Sequence, residues 1–97
     1  MPTYVFLVKW TDQGVKNVKD TVKRMRDVKA LTERHGGKVL SSYWTQGAYD
    51  LIVTIEATDE ITASADALTI ASGGHVAIQT LRAFTEPEME QIIQKMS

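Results

Sequence analysis

Residues 4–11 read YVFLVKWT, a run of β-branched and aromatic residues that is too short for a helix of average length. The sequence therefore predicts a strand at this position. Because successive side chains of a strand point to opposite faces, one face carries Tyr4, Phe6, Val8 and Trp10. The opposite face carries Val5, Leu7 and Lys9. Both faces are mainly apolar, so each is expected to need a cover.

A long helix is predicted to follow this strand and to end near His35. Asp12 can cap its N-terminus, and Gly36 and Gly37 can turn the chain out of it. Apolar residues recur every three or four positions along one stripe, at Val15, Val18, Val22, Met25, Val28 and Leu31. Nine of the eleven basic residues fall within residues 1–38. Those within the helix are expected to form a solvated face, and an anionic partner for the basic half of the chain is the alternative.

Three more strands and two more helices are predicted downstream. The strands are expected at residues 38–45, 48–57 and 75–84, with a hairpin turn at Gln46-Gly47. Thr58 is expected to cap the second helix, which Ser72-Gly73-Gly74 ends. The side of this helix that lies on the sheet is predicted to carry Ile61, Ala65, Leu68 and Ala71. Thr85 and Glu88 have the spacing of a capping box, which predicts a short terminal amphipathic helix.

The resulting order, β-α-β-β-α-β, predicts one α+β domain over residues 1–97 with a ferredoxin-like fold. Its four-stranded antiparallel sheet would carry both main helices on one face. All seven aromatic residues fall in predicted strands, so the second sheet face would expose more apolar surface than soluble monomers tolerate. We expect a second copy to cover this face, leaving a cavity between sheet and helices in each subunit. The alternative is that the terminal helix covers it.

The composition disfavours several classes of function. Cysteine is absent, which removes thiolate chemistry and fits a reducing, cytoplasmic location. No apolar run approaches the ~18 residues that cross a bilayer, so no membrane contact is expected. With two histidines that lie far apart in the sequence, no metal site and no cofactor are expected, haem on a lone histidine being the alternative. A net charge of −1 and a third strand without an RNP1 pattern argue against nucleic acid.

His75 and Asp50 are the candidate acid/base residues. His75 carries an imidazole, the most common general acid or base of enzymes, and Asp50 is a charge within an apolar strand. The candidate ligand-binding residues are strand aromatics, which could wall a pocket for an aromatic compound, and two strand cations, which could hold an anion. They are Trp10, Tyr43, Trp44, Tyr49, Lys9 and Arg82. The structural alternatives are capping for His75, hairpin stabilisation for Asp50 and core packing for the aromatics. For the two cations the alternative is an ion pair with Asp50 or Glu56 across the dimer interface.

The segment Gly47-Ala48-Tyr49-Asp50, followed by Leu51-Ile52-Val53, resembles the signature of the GYD-domain proteins, small proteins of the dimeric α/β-barrel group. The resemblance extends to Lys9-Trp10-Thr11, the basic helix, Gly36-Gly37 and Tyr43-Trp44. It implies a ferredoxin-like fold and a homodimer and leaves the function open. We therefore expect a small-molecule-binding homodimer, a sensor or accessory protein with a small aromatic or anionic ligand. The alternative is a cofactor-independent monooxygenase or isomerase that acts on a small aromatic substrate.

Overall fold

In the computed structural model, which describes residues 1–97, strand β1 (Thr3–Trp10) lies inside a four-stranded antiparallel sheet. The other strands are β2 (Lys38–Trp44), β3 (Leu51–Glu56) and β4 (Val76–Ala83), in the order β2-β3-β1-β4. Phe6 of β1 lies between Val53 of β3 and Thr80 of β4. This sheet confirms the predicted α+β, ferredoxin-like fold.

Four α-helices and one 3₁₀ turn connect or follow the strands. They are α1 (Asp12–Lys16), the 3₁₀ turn (Val18–Asp20), α2 (Thr21–Arg34), α3 (Glu60–Ser72) and α4 (Glu86–Lys95). None of the helices is long and apolar enough to cross a membrane. The predicted capping box of α4 is confirmed, because the Thr85 N–H donates to the Glu88 carboxylate at 2.9 Å and the Thr85 hydroxyl accepts from the Glu88 N–H at 3.4 Å.

The prediction of one long first helix is wrong, because the chain breaks at Asn17. This residue leaves the helical conformation at φ −108° and ψ 26°, and its side-chain amide donates to the Gln13 carbonyl oxygen. Such a local side-chain hydrogen bond competes with continuation of the helix. Val15 and Val22, which belong to the predicted apolar stripe, are both exposed.

The main core lies between the sheet and the helices. Every second residue of β1 and β3 is buried there, namely Tyr4, Phe6, Val8, Leu51, Val53 and Ile55. Met25 of α2 and Ala63 of α3 pack on them from the helix layer. The predicted period-2 pattern of the first and third strands is therefore confirmed.

The side of helix α3 that faces the sheet is not the side that the sequence predicted. Ala63 and Asp66 are buried, whereas Ile61 is 83% exposed and Leu68 is 72% exposed. The cap is also one residue later than predicted, since the Asp59 carboxylate accepts from the Thr62 N–H at 2.8 Å. Apolar periodicity favoured the wrong side because it treats an aspartate as a surface residue.

The second sheet face is apolar and largely open. Its central residues Val5, Leu7 and Ile52 are half-buried, and Tyr43 and Leu81 are exposed. Helix α4 leaves this surface uncovered, and its own apolar side chains Met89, Ile93 and Met96 are exposed. The molecule is elongated, at 51 × 31 × 18 Å, with a radius of gyration of 14.5 Å. A compact chain of this length would have a radius of gyration of about 12.5 Å.

Strand β2 forms one edge of the sheet and carries a bulge. Its pairing with β3 shifts between Val39 and Ser41, so that Leu40 has no partner across the ladder. Leu40 is 44% exposed, whereas Val39 packs against the core. The bulge therefore interrupts the regular edge of the sheet near its start.

A buried carboxylate ties α2 to α3. Asp66 is 1% exposed, and its Oδ1 lies 2.6 Å from Nδ1 of His35, the residue that caps the C-terminus of α2. Buried charged groups are tolerated in proteins when they are paired and hydrogen-bonded. His35 therefore explains how α3 can turn an aspartate toward the core.

Replacing His35 by alanine removes this partner and should lower the free energy of unfolding by about 2–4 kcal/mol, because a buried carboxylate loses its hydrogen bond. Chemical denaturation measures the effect. Glu33→Ala, at an exposed site two residues earlier, is the control and should change stability by less than about 0.5 kcal/mol. Equal stability of the two variants would contradict the structural role of the pair.

Candidate functional site

A cavity of about 300 Å³ lies between the sheet, α2 and the C-terminal end of α3. Its floor is apolar because the alternation of three strands directs every second side chain toward the helices. The floor residues include Phe6, Val8, Trp10, Leu51, Val53 and Ile78. This volume is at the lower end of the range for small-molecule sites.

The walls of the cavity come from the two main helices. Helix α2 contributes Met25, Val28 and Leu31, and α3 contributes Thr69 and Ile70 near its end. The same α2 residues form the buried stripe that the sequence predicted. The helices therefore border the space with mainly apolar side chains, as a ligand with an apolar body requires.

Polar groups are few at this cavity. Helix α2 supplies Thr21, Arg24, Asp27 and Arg34, and His75 precedes β4. The Nη2 atom of Arg24 is completely buried and has no hydrogen-bond partner. A small number of placed polar groups on an apolar wall is typical of sites that orient a small molecule.

His75 is held at the cavity by the start of α1. Its carbonyl oxygen accepts from the Thr11 N–H at 3.1 Å, and the Thr11 hydroxyl donates to the Gly74 carbonyl oxygen at 2.6 Å. The ring Nε2 lies 3.5 Å from Nε2 of Gln13, so a neutral imidazole can accept from the Gln13 amide. No carboxylate is hydrogen-bonded to this imidazole.

Asp50 does not reach the cavity. Its Oδ2 accepts from the Trp10 N–H at 2.8 Å, and its own N–H donates to the Val8 carbonyl oxygen at 2.8 Å. The carboxylate of Asp50, which directly precedes β3, thus accepts a hydrogen bond from the backbone N–H of the last residue of β1. Trp10 and His75 therefore line the cavity, whereas Asp50 lies in the connection between β2 and β3 and does not line it.

The predicted ligand-binding residues Trp44, Tyr43, Lys9 and Tyr49 do not line the cavity. Trp44 is at the outer edge, where its Nε1–H donates to the Thr21 hydroxyl at 3.1 Å. Tyr43 and Lys9 are exposed on the second sheet face. Tyr49 reaches that face as well, and its hydroxyl donates to Oε1 of Gln79 at 2.8 Å.

Arg82 lies opposite Tyr4, at the end of β1 and β4 that is remote from His75. Its guanidinium covers the Phe84 ring at 4.5 Å and the Tyr4 ring at 5.6 Å from the ring centres. It also lies 3.5 Å from the Glu88 carboxylate at the start of α4. Arg82 thus forms its ion pair within the chain, with Glu88 and not with Asp50 or Glu56, the partners predicted across a dimer interface.

Shifted pKa values occur outside the cavity. Burial raises the pKa of Tyr4, whose hydroxyl has no hydrogen-bond partner, and nearby Glu60 raises it further. Hydrogen bonds from the Thr62 and Thr85 backbone N–H groups lower the pKa values of Asp59 and Glu88. These shifts therefore report burial and helix capping.

Arg24 was not predicted as a cavity residue, because the basic residues of the first helix were all expected to lie on its solvated face. A signal was present. Arg24 precedes Val28 by four residues and Leu31 by seven, which is the spacing of one helix stripe. A long side chain on such a stripe can line a buried space with its stem and still carry its charge.

Gly14 is needed for the contact between α1 and His75. A Cβ atom at this position would lie 2.0 Å from the His75 carbonyl oxygen, which is backbone and cannot rotate away. We expect Gly14→Ala to lower the free energy of unfolding by about 1–3 kcal/mol through overpacking. Gly73→Ala, where the added Cβ would meet its nearest atom at 3.5 Å, is the matched control for thermal denaturation. Equal melting temperatures would contradict the close packing.

Known proteins resemble this chain in sequence and in fold. The family model of the GYD domain matches residues 4–93. The Thermus thermophilus protein named glutamine synthetase and cystathionine beta-lyase binding protein is 34% identical over 84 residues, which cover 86% of this chain and 88% of that protein.

Two crystal structures share the fold. That of the hypothetical protein PHS023 from Pyrococcus horikoshii has a TM-score of 0.62 at 22% identity and covers 89% of this chain and 93% of its own. That of TTHA0845 from Thermus thermophilus has a TM-score of 0.56 at 21% identity, with 88% and 95% covered. At such identities the likeness concerns the fold alone.

Proposed function

Because this chain belongs to the GYD domain family, we propose that it is a homodimeric accessory protein that binds a small molecule between its sheet and its two main helices. The observation that carries the proposal is the cavity of about 300 Å³ with an apolar floor. A space of this size accommodates a molecule with one or two rings.

Binding is favoured over catalysis by the surroundings of His75. A general base is commonly oriented by a third group, often a carboxylate, within hydrogen-bonding distance. The imidazole of His75 has Gln13 as its neighbour, and Asp50 is engaged with the Trp10 backbone. The acid/base pair required by the monooxygenase or isomerase alternative is therefore not assembled at the cavity.

The accessory role includes contact with a protein partner. The Thermus thermophilus relative is named for binding two enzymes, and we extend contact with an enzyme to this chain as a proposal. Ile61 and Leu68 support it, since they lie seven residues apart on the outer side of α3 and are 83% and 72% exposed. The two side chains lie on one side of the helix, about 10.5 Å apart along its axis, where one partner surface could contact both.

The homodimer is proposed from the second sheet face. Val5, Leu7 and Ile52 lie at its centre, and Leu81 and Tyr43 extend the apolar surface outward. Two such sheets stacked face to face would remove this surface from water at a spacing of about 10 Å. The cavity lies on the opposite side of each sheet, so that a dimer would leave both cavities accessible.

Filling the cavity should abolish binding. The neutral probe 3-phenylpropanamide should shift the NMR signals of Ile70 and Ile78 in the wild type, because both residues line the cavity. Val28→Trp places a large side chain in the cavity and should weaken binding by at least about tenfold, whereas Val22→Trp, at an exposed site on the same helix, should not. The absence of saturable shifts at Ile70 and Ile78 would contradict the proposed site, whether or not Val28→Trp folds.

A charged group on the second sheet face should dissociate the dimer. Wild-type protein should sediment at micromolar concentration with twice the chain's 10.8 kDa. Leu81→Glu should sediment as a monomer, because burying an unpaired carboxylate in an apolar interface is unfavourable. Leu68→Glu, on the outer side of α3, should remain dimeric. A wild-type monomer under these conditions would contradict the dimer.

A further inference from the structure

The guanidinium of Arg24 is unpaired at the wall of the cavity. Its Nη2 atom is completely buried and has no acceptor within hydrogen-bonding distance. Asp20 and Asp27 lie four residues before and three residues after it on α2, at the spacing of helix ion pairs. Neither of them forms one, since the salt bridges of the molecule are His35 with Asp66 and Arg82 with Glu88.

A buried guanidinium donor requires an acceptor. Arginine stays protonated in proteins, so Arg24 cannot avoid the demand by losing its charge. Buried side-chain donors are nearly always hydrogen-bonded to protein, water or ligand. A carboxylate matches the planar fork of guanidinium N–H groups and accepts two hydrogen bonds from it. Arg24 lines the cavity and forms no ion pair within the chain, so its guanidinium is the group that would bind the anionic group of a ligand.

The rest of the cavity limits the kind of anion. Phe6, Val8 and Val53 form an apolar floor, which favours a ligand with an apolar body over an inorganic anion. Arg34, which also lines the cavity, follows Arg24 by ten residues, about 15 Å along the helix axis. Asp27 also lines the cavity and would repel a second negative charge.

From these contacts we infer that the cavity takes a monocarboxylate with a small aromatic or branched apolar body, held by the guanidinium of Arg24. The inference rests on the proposed function and specifies the ligand class of the same site. Arg24 is the specificity-determining residue, and the sheet floor contributes binding that does not depend on charge. The anion contact thus comes from α2, on the helix side of the sheet.

The test compares 3-phenylpropionate with its neutral isostere 3-phenylpropanamide by isothermal titration calorimetry. Wild type should bind the carboxylate about 10- to 100-fold more tightly, the effect of a charge-assisted hydrogen bond to a buried group. Arg24→Met should lose this preference and keep its affinity for the amide. Arg26→Met, an exposed cation on the same helix that does not line the cavity, should retain the preference.

The outcomes separate the two proposals. Equal affinity of wild type for both probes, or an undiminished preference in Arg24→Met, would overturn the role of Arg24 while the cavity remained a binding site. If neither probe binds to wild type, the proposed function fails, and the ligand class fails with it.

Arg24→Lys serves where Arg24→Met does not fold. It keeps the charge but loses the planar fork, and its preference for the carboxylate should be smaller than that of Arg26→Met.

Discussion

The alternation of side chains along β1 is the constraint on which the rest of the molecule depends. Tyr4, Phe6 and Val8 point to the helices, and Val5 and Leu7 point to the other face. Because β1 pairs with β3 on one side and β4 on the other, its register sets that of both neighbours. A slip of one residue would exchange the two faces and take the core away from the helices. The cavity floor and the open apolar face are thus two sides of one strand.

Local signals in the sequence predicted the parts of the fold that local physics decides. Strand alternation placed Phe6 and Val53 in the core, and the Thr85 capping box placed the start of α4. The break at Asn17 and the orientation of α3 were not predicted. The first depends on one side-chain hydrogen bond to Gln13, which competes with a strongly periodic helix pattern. The second depends on His35, which lies 31 residues before Asp66.

The candidate site was predictable only in part, for a related reason. Trp10 and His75 end or precede strands at one end of the sheet, so their placement at a common cavity follows from topology. Asp50 has the chemistry of a site residue, yet the Trp10 backbone takes up its carboxylate. In the sequence, Arg24 is one of many basic residues in the first half of the chain, and its helix spacing alone does not single it out as a site residue. What distinguishes it is the lack of a partner, which no sequence pattern displays.

The bulge at Leu40 has a consequence for how the molecule behaves when it is concentrated. Strands β2 and β4 leave unpaired backbone N–H and C=O groups along both edges of the sheet, and such edges are templates for intermolecular strand pairing and fibril growth. By shifting the pairing between Val39 and Ser41, the bulge breaks the even spacing of these groups along β2. An incoming strand cannot match the whole edge, so this side of the sheet is protected from open-ended polymerisation.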